Sequence, residues 1–182
     1  MRIVSGKYKG RKLHPPSNLP VRPTTDFAKE SLFNILNNLI DFESLAVLDL
    51  FSGTGSIAFE FISRGCLSVT AVDQNPRCID FIKKASAEIG IDNLRAVRSN
   101  AFSILRNPTA SFDLIFADPP YDVKELPSIP ELVLTTTILN PGGLFILEHS
   151  GNYRFDDHPQ FFQKRNYGSV NFTFFSMAER NA

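Results

Sequence analysis

The chain has 182 residues, 43% of them hydrophobic and 21% charged, with 19 basic and 19 acidic side chains that cancel. That balance fits one soluble folded domain with a short appendage. It excludes a membrane span, because no apolar run approaches the ~18 residues one requires. The N-terminus, MRIVSGKYKGRK, lacks the apolar core of a signal peptide.

In chain order, residues 2–5 and 11–13 are expected to pair as a small hairpin that turns through Gly6 to Gly10. The charge here is lopsided. Residues 1–30 hold Arg2, Lys7, Lys9, Arg11, Lys12, Arg22 and Lys29 against Asp26 and Glu30, a net of +5 that leaves −5 for the remainder. Such an arm suits phosphate contact, or is a solvated tail. A Pro-rich linker, His14 to Pro23, follows. Thr25 or Asp26 caps a helix to about Asn38, with Ala28, Leu32, Ile35 and Leu39 as its buried stripe.

Leu45 to Phe51 reads as a strand, Ser56 to Arg64 as a helix stopped by Gly65, and Ser68 to Asp73 as a second strand. Asn75 caps a helix with Pro76 at its first position, which buries Cys78, Ile82, Ala85 and Ile89 before Gly90 ends it. Leu94 to Arg98 and Phe112 to Ala117 are strands. A helix is expected within Ile129 to Leu139. Pro141-Gly142-Gly143 turns into a strand from Leu144 to Glu148, and strands near Phe161–Arg165 and Val170–Met177 close the chain. Alternating strands and helices with apolar strands mean a mostly parallel sheet covered on both faces. The last pair, too close for a helix between them, is expected as an antiparallel hairpin. Cys66 and Cys78 match no metal or redox spacing and read as packing residues in a reducing cytoplasm. No metal is expected. His14, His149 and His158 are scattered and receive no role, and Glu148 reads as structural.

The candidate functional residues fall at the carboxyl ends of strands, where such sheets bind ligands. Asp49-Leu50-Phe51-Ser52-Gly53-Thr54-Gly55 joins a strand to a helix. Its glycines let the backbone turn tightly beside a ligand, and the helix start favours an anion. Asp73 ends the next strand, 20 residues after Gly53, and suits a pair of ribose hydroxyls. Asn100-Ala101 follows the third strand, where an amide and a backbone N–H can read adenine edges. Together these residues indicate an adenosine-containing cofactor. The loop lacks the complete G-x-G-x-x-G pattern, which leans away from NAD.

Asp118-Pro119-Pro120-Tyr121 ends the fourth strand. An exocyclic base amine is a poor nucleophile, since its lone pair is delocalised into the ring. Acceptors that hold both N–H groups turn that lone pair outward. The Asp118 carboxylate and the Pro119 carbonyl supply them, the prolines stiffen the corner, and Tyr121 offers a stacking face for a flipped base. This points to methyl transfer from S-adenosylmethionine to a base amine.

These motifs, with Arg2-Ile3-Val4-Ser5-Gly6-Lys7, Gly10-Arg11-Lys12-Leu13, Arg22-Pro23-Thr24-Thr25-Asp26 and Glu30-Ser31-Leu32-Phe33-Asn34, resemble the bacterial 16S ribosomal RNA guanine-N2 methyltransferase family. The resemblance implies an α/β, Rossmann-like S-adenosylmethionine-dependent methyltransferase. Its seven-stranded, mostly parallel sheet (41–182) carries an antiparallel C-terminal hairpin, and an RNA-contacting extension (1–40) precedes it. It implies cofactor contacts from Asp49, Phe51, Gly53, Gly55, Asp73, Asn100 and Ala101, and a base site at Asp118, Pro119, Pro120 and Tyr121. Substrate contacts fall to Arg22, Thr24, Lys7, Lys9, Arg11 and Lys12. The implied partner is ribosomal RNA, within the small subunit or an assembly intermediate, met by a cytoplasmic monomer. The chain departs from the family where Phe27, Ala28 and Lys29 replace the usual arginines, removing a basic contact. Three rival readings remain at this level: an adenine-N6 amino-methyltransferase, a non-catalytic rRNA-binding assembly factor, and a nicotinamide-dependent oxidoreductase.

Overall fold

The computed structural model describes residues 1–17, 19 and 25–177. Arg22 and Thr24 lie outside the described residues. The elements in order are α1 (Asp26–Leu36), β1 (Ala46–Leu50), α2 (Ser56–Ser63), β2 (Ser68–Asp73), α3 (Pro76–Glu88), β3 (Leu94–Arg98), α4 (Ala101–Arg106), β4 (Phe112–Ala117), α5 (Ile129–Leu134), β5 (Leu139–His149), β6 (Phe161–Tyr167) and β7 (Val170–Ser176).

One sheet contains all seven strands in the order β3-β2-β1-β4-β5-β7-β6. The first five are parallel, and β7 runs antiparallel to both β5 and β6. Period-two alternation divides the strand residues between two apolar layers. Val47, Val69, Leu114, Phe116, Ile146 and Phe172 pack with α1, α2 and α3. Leu48, Leu50, Ile115, Ala117, Leu147 and Phe175 pack with α4 and α5. Both faces are covered, which is why the central strands read as continuous apolar runs.

Several boundaries differ from the sequence reading, each for a local reason. The buried side of α1 is Ala28, Lys29, Leu32, Phe33 and Leu36, while Leu39, past the helix end, is exposed. Helix α4 was not anticipated; at six residues it is too short for apolar periodicity to reveal. Strand β5 begins at Leu139, so Pro141-Gly142-Gly143 lies inside it as an irregularity in the pairing with β4. Cys66 and Cys78 are buried and unpaired, and burial pushes their thiols up to about 12 and about 11. His149 is also buried and hydrogen-bonds the Thr173 hydroxyl at 2.7 Å.

The N-terminal arm is fastened onto α2. Its hairpin reduces to one bridge, Arg2 to Lys12, supported by Ile3 N–H to the Arg11 carbonyl at 3.0 Å. Val4 N–H donates to the Glu60 carboxylate at 2.5 Å, Lys7 N–H to the Ser63 carbonyl at 2.7 Å, and Tyr8 N–H to Ser63 Oγ at 3.0 Å. Lys29, only 1% exposed, points its ammonium inward to the Arg2 carbonyl at 2.6 Å and Glu60 at 3.4 Å. Its charge anchors the arm and is not part of a basic docking surface.

The anchor demands a glycine at position 6. Gly6 has φ +78°, and a Cβ there would fall 1.8 Å from the Ser63 carbonyl oxygen. Gly10 has φ +83° with nothing within reach of a Cβ. Both Gly→Ala changes pay for positive φ, about 1 kcal/mol, but only Gly6→Ala also drives a methyl into backbone. Thermal melts are expected to show a clearly larger loss of Tm for Gly6→Ala than for Gly10→Ala. Equal losses would mean that the arm is not held where the structure has it.

Candidate active site

Strands β1, β2, β4 and β5 end on the same edge of the sheet, and a cavity of about 860 Å³ opens there. One wall is the turn after β1. Phe51 adopts φ 59° and Gly53 φ 52°, so the chain makes a sharp left-handed turn before α2. Two carboxylates hold the turn. Asp73 Oδ2 accepts from Gly53 N–H at 2.9 Å, while its Oδ1 accepts from Asn75 N–H at 2.8 Å. Asp49, buried beneath, accepts from Ala58 N–H in the first turn of α2 at 3.1 Å. A carboxylate offers about four acceptor positions, so Asp73 retains capacity toward the cavity.

The corner after β4 also lines the cavity. Asp118 N–H reaches the Leu50 carbonyl at 3.4 Å, which ties the corner to the end of β1. Val123 N–H donates to the Pro120 carbonyl at 3.0 Å and closes the turn. Asp118, Pro119, Pro120 and Tyr121 all line the cavity, as do Asp49, Phe51, Gly53, Asp73, Asn100 and Ala101. Phe51 meets Phe102 edge to face at 5.8 Å across the cavity floor.

The structure does not gather every predicted residue. Gly55 is absent from the cavity wall; a Cβ there would meet Ile82 at 2.9 Å, so this glycine lets α2 approach α3. Asn100 lines the cavity, but its side-chain oxygen caps α4 through Ser103 N–H at 3.2 Å. That bond occupies part of the amide intended for reading adenine. Lys7, Lys9, Arg11 and Lys12 are exposed on the arm away from the cavity wall. Sequence reasoning missed Thr25, Phe102, Arg106, Glu148 and Val170, which also line the cavity. The one signal available was an acid, Glu148, ending an apolar strand just as Asp49 and Asp73 do.

Negative charge is crowded at this edge. Burial first, then the neighbouring Asp118 and Asp73 carboxylates, push the Asp49 acid well above its ordinary range, while the Ala58 N–H bond opposes the rise. A folded-state pKa above the unfolded one means that Asp49 favours folding below about pH 4 and loses that contribution as pH rises through its folded value. Asp49→Asn keeps an acceptor for Ala58 N–H and carries no charge. Its Tm is expected to improve relative to wild type as pH rises from about 4 to about 8, read by calorimetry across that range. A constant difference would show that Asp49 titrates alike in both states.

The sheet order with its antiparallel terminal hairpin is that of a Rossmann-like methyltransferase fold, shared with a putative methyltransferase from Escherichia coli that superposes with TM-score 0.83 at 27% identity over 97% of each chain. The chain belongs to the family described as Conserved hypothetical protein 95, which matches residues 1–176. A Buchnera aphidicola protein named ribosomal RNA small subunit methyltransferase D is 33% identical over 148 residues, covering 81% of this chain and 75% of the relative. The Escherichia coli protein of the same name is 35% identical, covering 66% of this chain and 60% of its own length. Among solved structures, a Thermus thermophilus 16S rRNA N2 G1207 methyltransferase in complex with AdoMet and guanosine superposes with TM-score 0.70. It is 20% identical, covering 87% of this chain and 45% of that one.

Proposed function

We propose that the protein transfers a methyl group from S-adenosylmethionine to the exocyclic 2-amino group of a guanine in 16S ribosomal RNA of the small subunit. The observation that carries this reading is a single cavity lined by the glycine turn, Asp73 and the Asp118–Tyr121 corner together. S-adenosylmethionine brings a methyl group already activated on a sulfonium. The donor set suits it: Asp73 faces the cavity with acceptor capacity for ribose hydroxyls, Phe51 and Phe102 form an apolar floor, and the positive-φ turn at Gly53 clears the backbone beside them.

At the corner after β4 the Asp118 carboxylate and the Pro119 carbonyl accept the two N–H groups of the guanine amine. Their pull turns the nitrogen lone pair toward the methyl, and Tyr121 stacks on the base. Catalysis is then chiefly positioning, for which ~7–11 kcal/mol of barrier lowering is available. The amine proton passes to Asp118 or to water. Names of relatives support ribosomal RNA as the substrate class. In this reading residues 1–40 contact rRNA, with Lys7, Lys9, Arg11 and Lys12 exposed for phosphates. Residues 41–182 carry the chemistry. The protein works as a cytoplasmic monomer on the small subunit or an assembly intermediate, and no helix among the described residues is long and apolar enough to cross a membrane.

The test is to incubate the protein with methyl-labelled cofactor and either undermethylated small subunits or naked rRNA, then digest and identify the nucleoside by mass spectrometry. The expected product is N2-methylguanosine. Asp118→Ala is expected to lower the transfer rate by ~10²–10⁴-fold with cofactor affinity unchanged. Methyladenosine without methylguanosine would refute the substrate, and RNA binding with no transfer by the wild type would leave an assembly factor instead.

A further inference from the structure

Glu148 ends an apolar strand and lines the same cavity as the Asp118 corner, yet nothing in the proposed reaction uses it. Its position follows from strand register. The last pair between β4 and β5 is Ala117 with Leu147, so the next rung carries Asp118 and Glu148. Neighbouring parallel strands lie ~4.8 Å apart, and the two acids therefore sit at one level on adjacent strands. Leu144 and Ile146 face the α1–α2 layer, and alternation puts Glu148 on that side too. There it shares the cavity wall with Phe116, Val170, Ser56 and Thr25.

The burial of Glu148 is deep for a carboxylate, at 4% exposure. Glu148 nevertheless lines the cavity on the side of the Asp118 corner, where a base would enter. The Asp-Pro-Pro-Tyr corner by itself does not distinguish bases, because adenine, cytosine and guanine all offer an NH2 group. What distinguishes guanine beside its 2-amino group is the N1–H donor. Adenine has a bare acceptor nitrogen at its own N1, next to its amine.

We infer that Glu148 selects guanine by accepting its N1–H while Asp118 and Pro119 hold the 2-amino group. This rests on the methyltransferase reading above. Two carboxylates at one level on adjacent strands then face the row of N–H donors along one edge of guanine. A base with an acceptor at N1 leaves the Glu148 carboxylate opposed by a lone pair. A polar site of this kind rejects such analogues far more strongly than a shape-based pocket does.

The base 2-aminopurine separates the two effects, since it keeps the 2-amino group and has no N1–H. Small subunits are reconstituted on rRNA carrying either guanine or 2-aminopurine at the methylated position, and kcat/KM is measured for wild type and Glu148→Gln. Wild type is expected to prefer guanine by at least ~100-fold. Glu148→Gln, whose amide can also donate to N1, is expected to bring that ratio below ~10 with cofactor affinity unchanged. A wild-type ratio near one overturns the inference without reference to any variant, and so does an unchanged ratio in Glu148→Gln. No transfer to either base by wild type overturns the methyltransferase reading instead, a result distinct from transfer without discrimination.

Discussion

Two hydrogen bonds from backbone N–H groups to carboxylates give the cavity its shape: Gly53 to Asp73 and Ala58 to Asp49. The chain leaving β1 must reverse into α2 within a few residues, and its N–H groups have no partners inside the helix. Asp49, on β1, reaches up to the first turn of α2, while Asp73 reaches across from β2. The strained conformation at Phe51 and the left-handed one at Gly53 are held between them. Without those acceptors the turn would have no reason to stay open beside the corner after β4.

The same economy of partners explains the N-terminal arm. Residues 1–13 are too few for a core of their own, and Ile3 and Leu13 join the main apolar layer instead. The seam is polar. Glu60 is buried between Lys29 and Arg64, at 3.4 and 3.6 Å, and also receives Val4 N–H. Arg64 lies over the Phe33 ring at 4.5 Å. Burial pushes the Glu60 acid up, and the Val4 N–H bond with the charges of Lys29 and Arg64 pulls against that rise. A buried ion cluster of this kind adds little net stability compared with apolar packing, but losing one member leaves an uncompensated charge. Its effect is to hold the arm at one angle, so that Lys7, Lys9, Arg11 and Lys12 point outward together.

Crowding of acids at the strand ends has a physical cost that packing alone would not impose. Asp49, Asp73, Asp118 and Glu148 all line one cavity, and burial first, then repulsion from Asp118 and Asp73, raises Asp49. Groups perturbed in this way gather where ligands bear the complementary donors. Ribose hydroxyls and a base amine, the ligand groups of the proposed function, are such donors.

Much was legible in the amino-acid order because it depends on neighbours along the chain. The alternation of apolar strands with capped helices, the Asn75-Pro76 helix start, the glycine turn and the two-proline corner are local features, and each was found where expected. Other features depended on residues distant in sequence. Lys29 reads as a surface charge until Glu60 lies 3.4 Å away. Gly55 reads as a ligand glycine until Ile82 stands where its Cβ would be. Glu148 reads as a structural acid until β4 and β5 pair in a register that sets it beside Asp118. The local pattern determined the strands and every helix but the six-residue α4, because dihedral preference and periodicity act over a few residues. Only the tertiary structure decided which side chains share a cavity and which are buried as anchors, because those depend on register and packing between segments far apart in the chain.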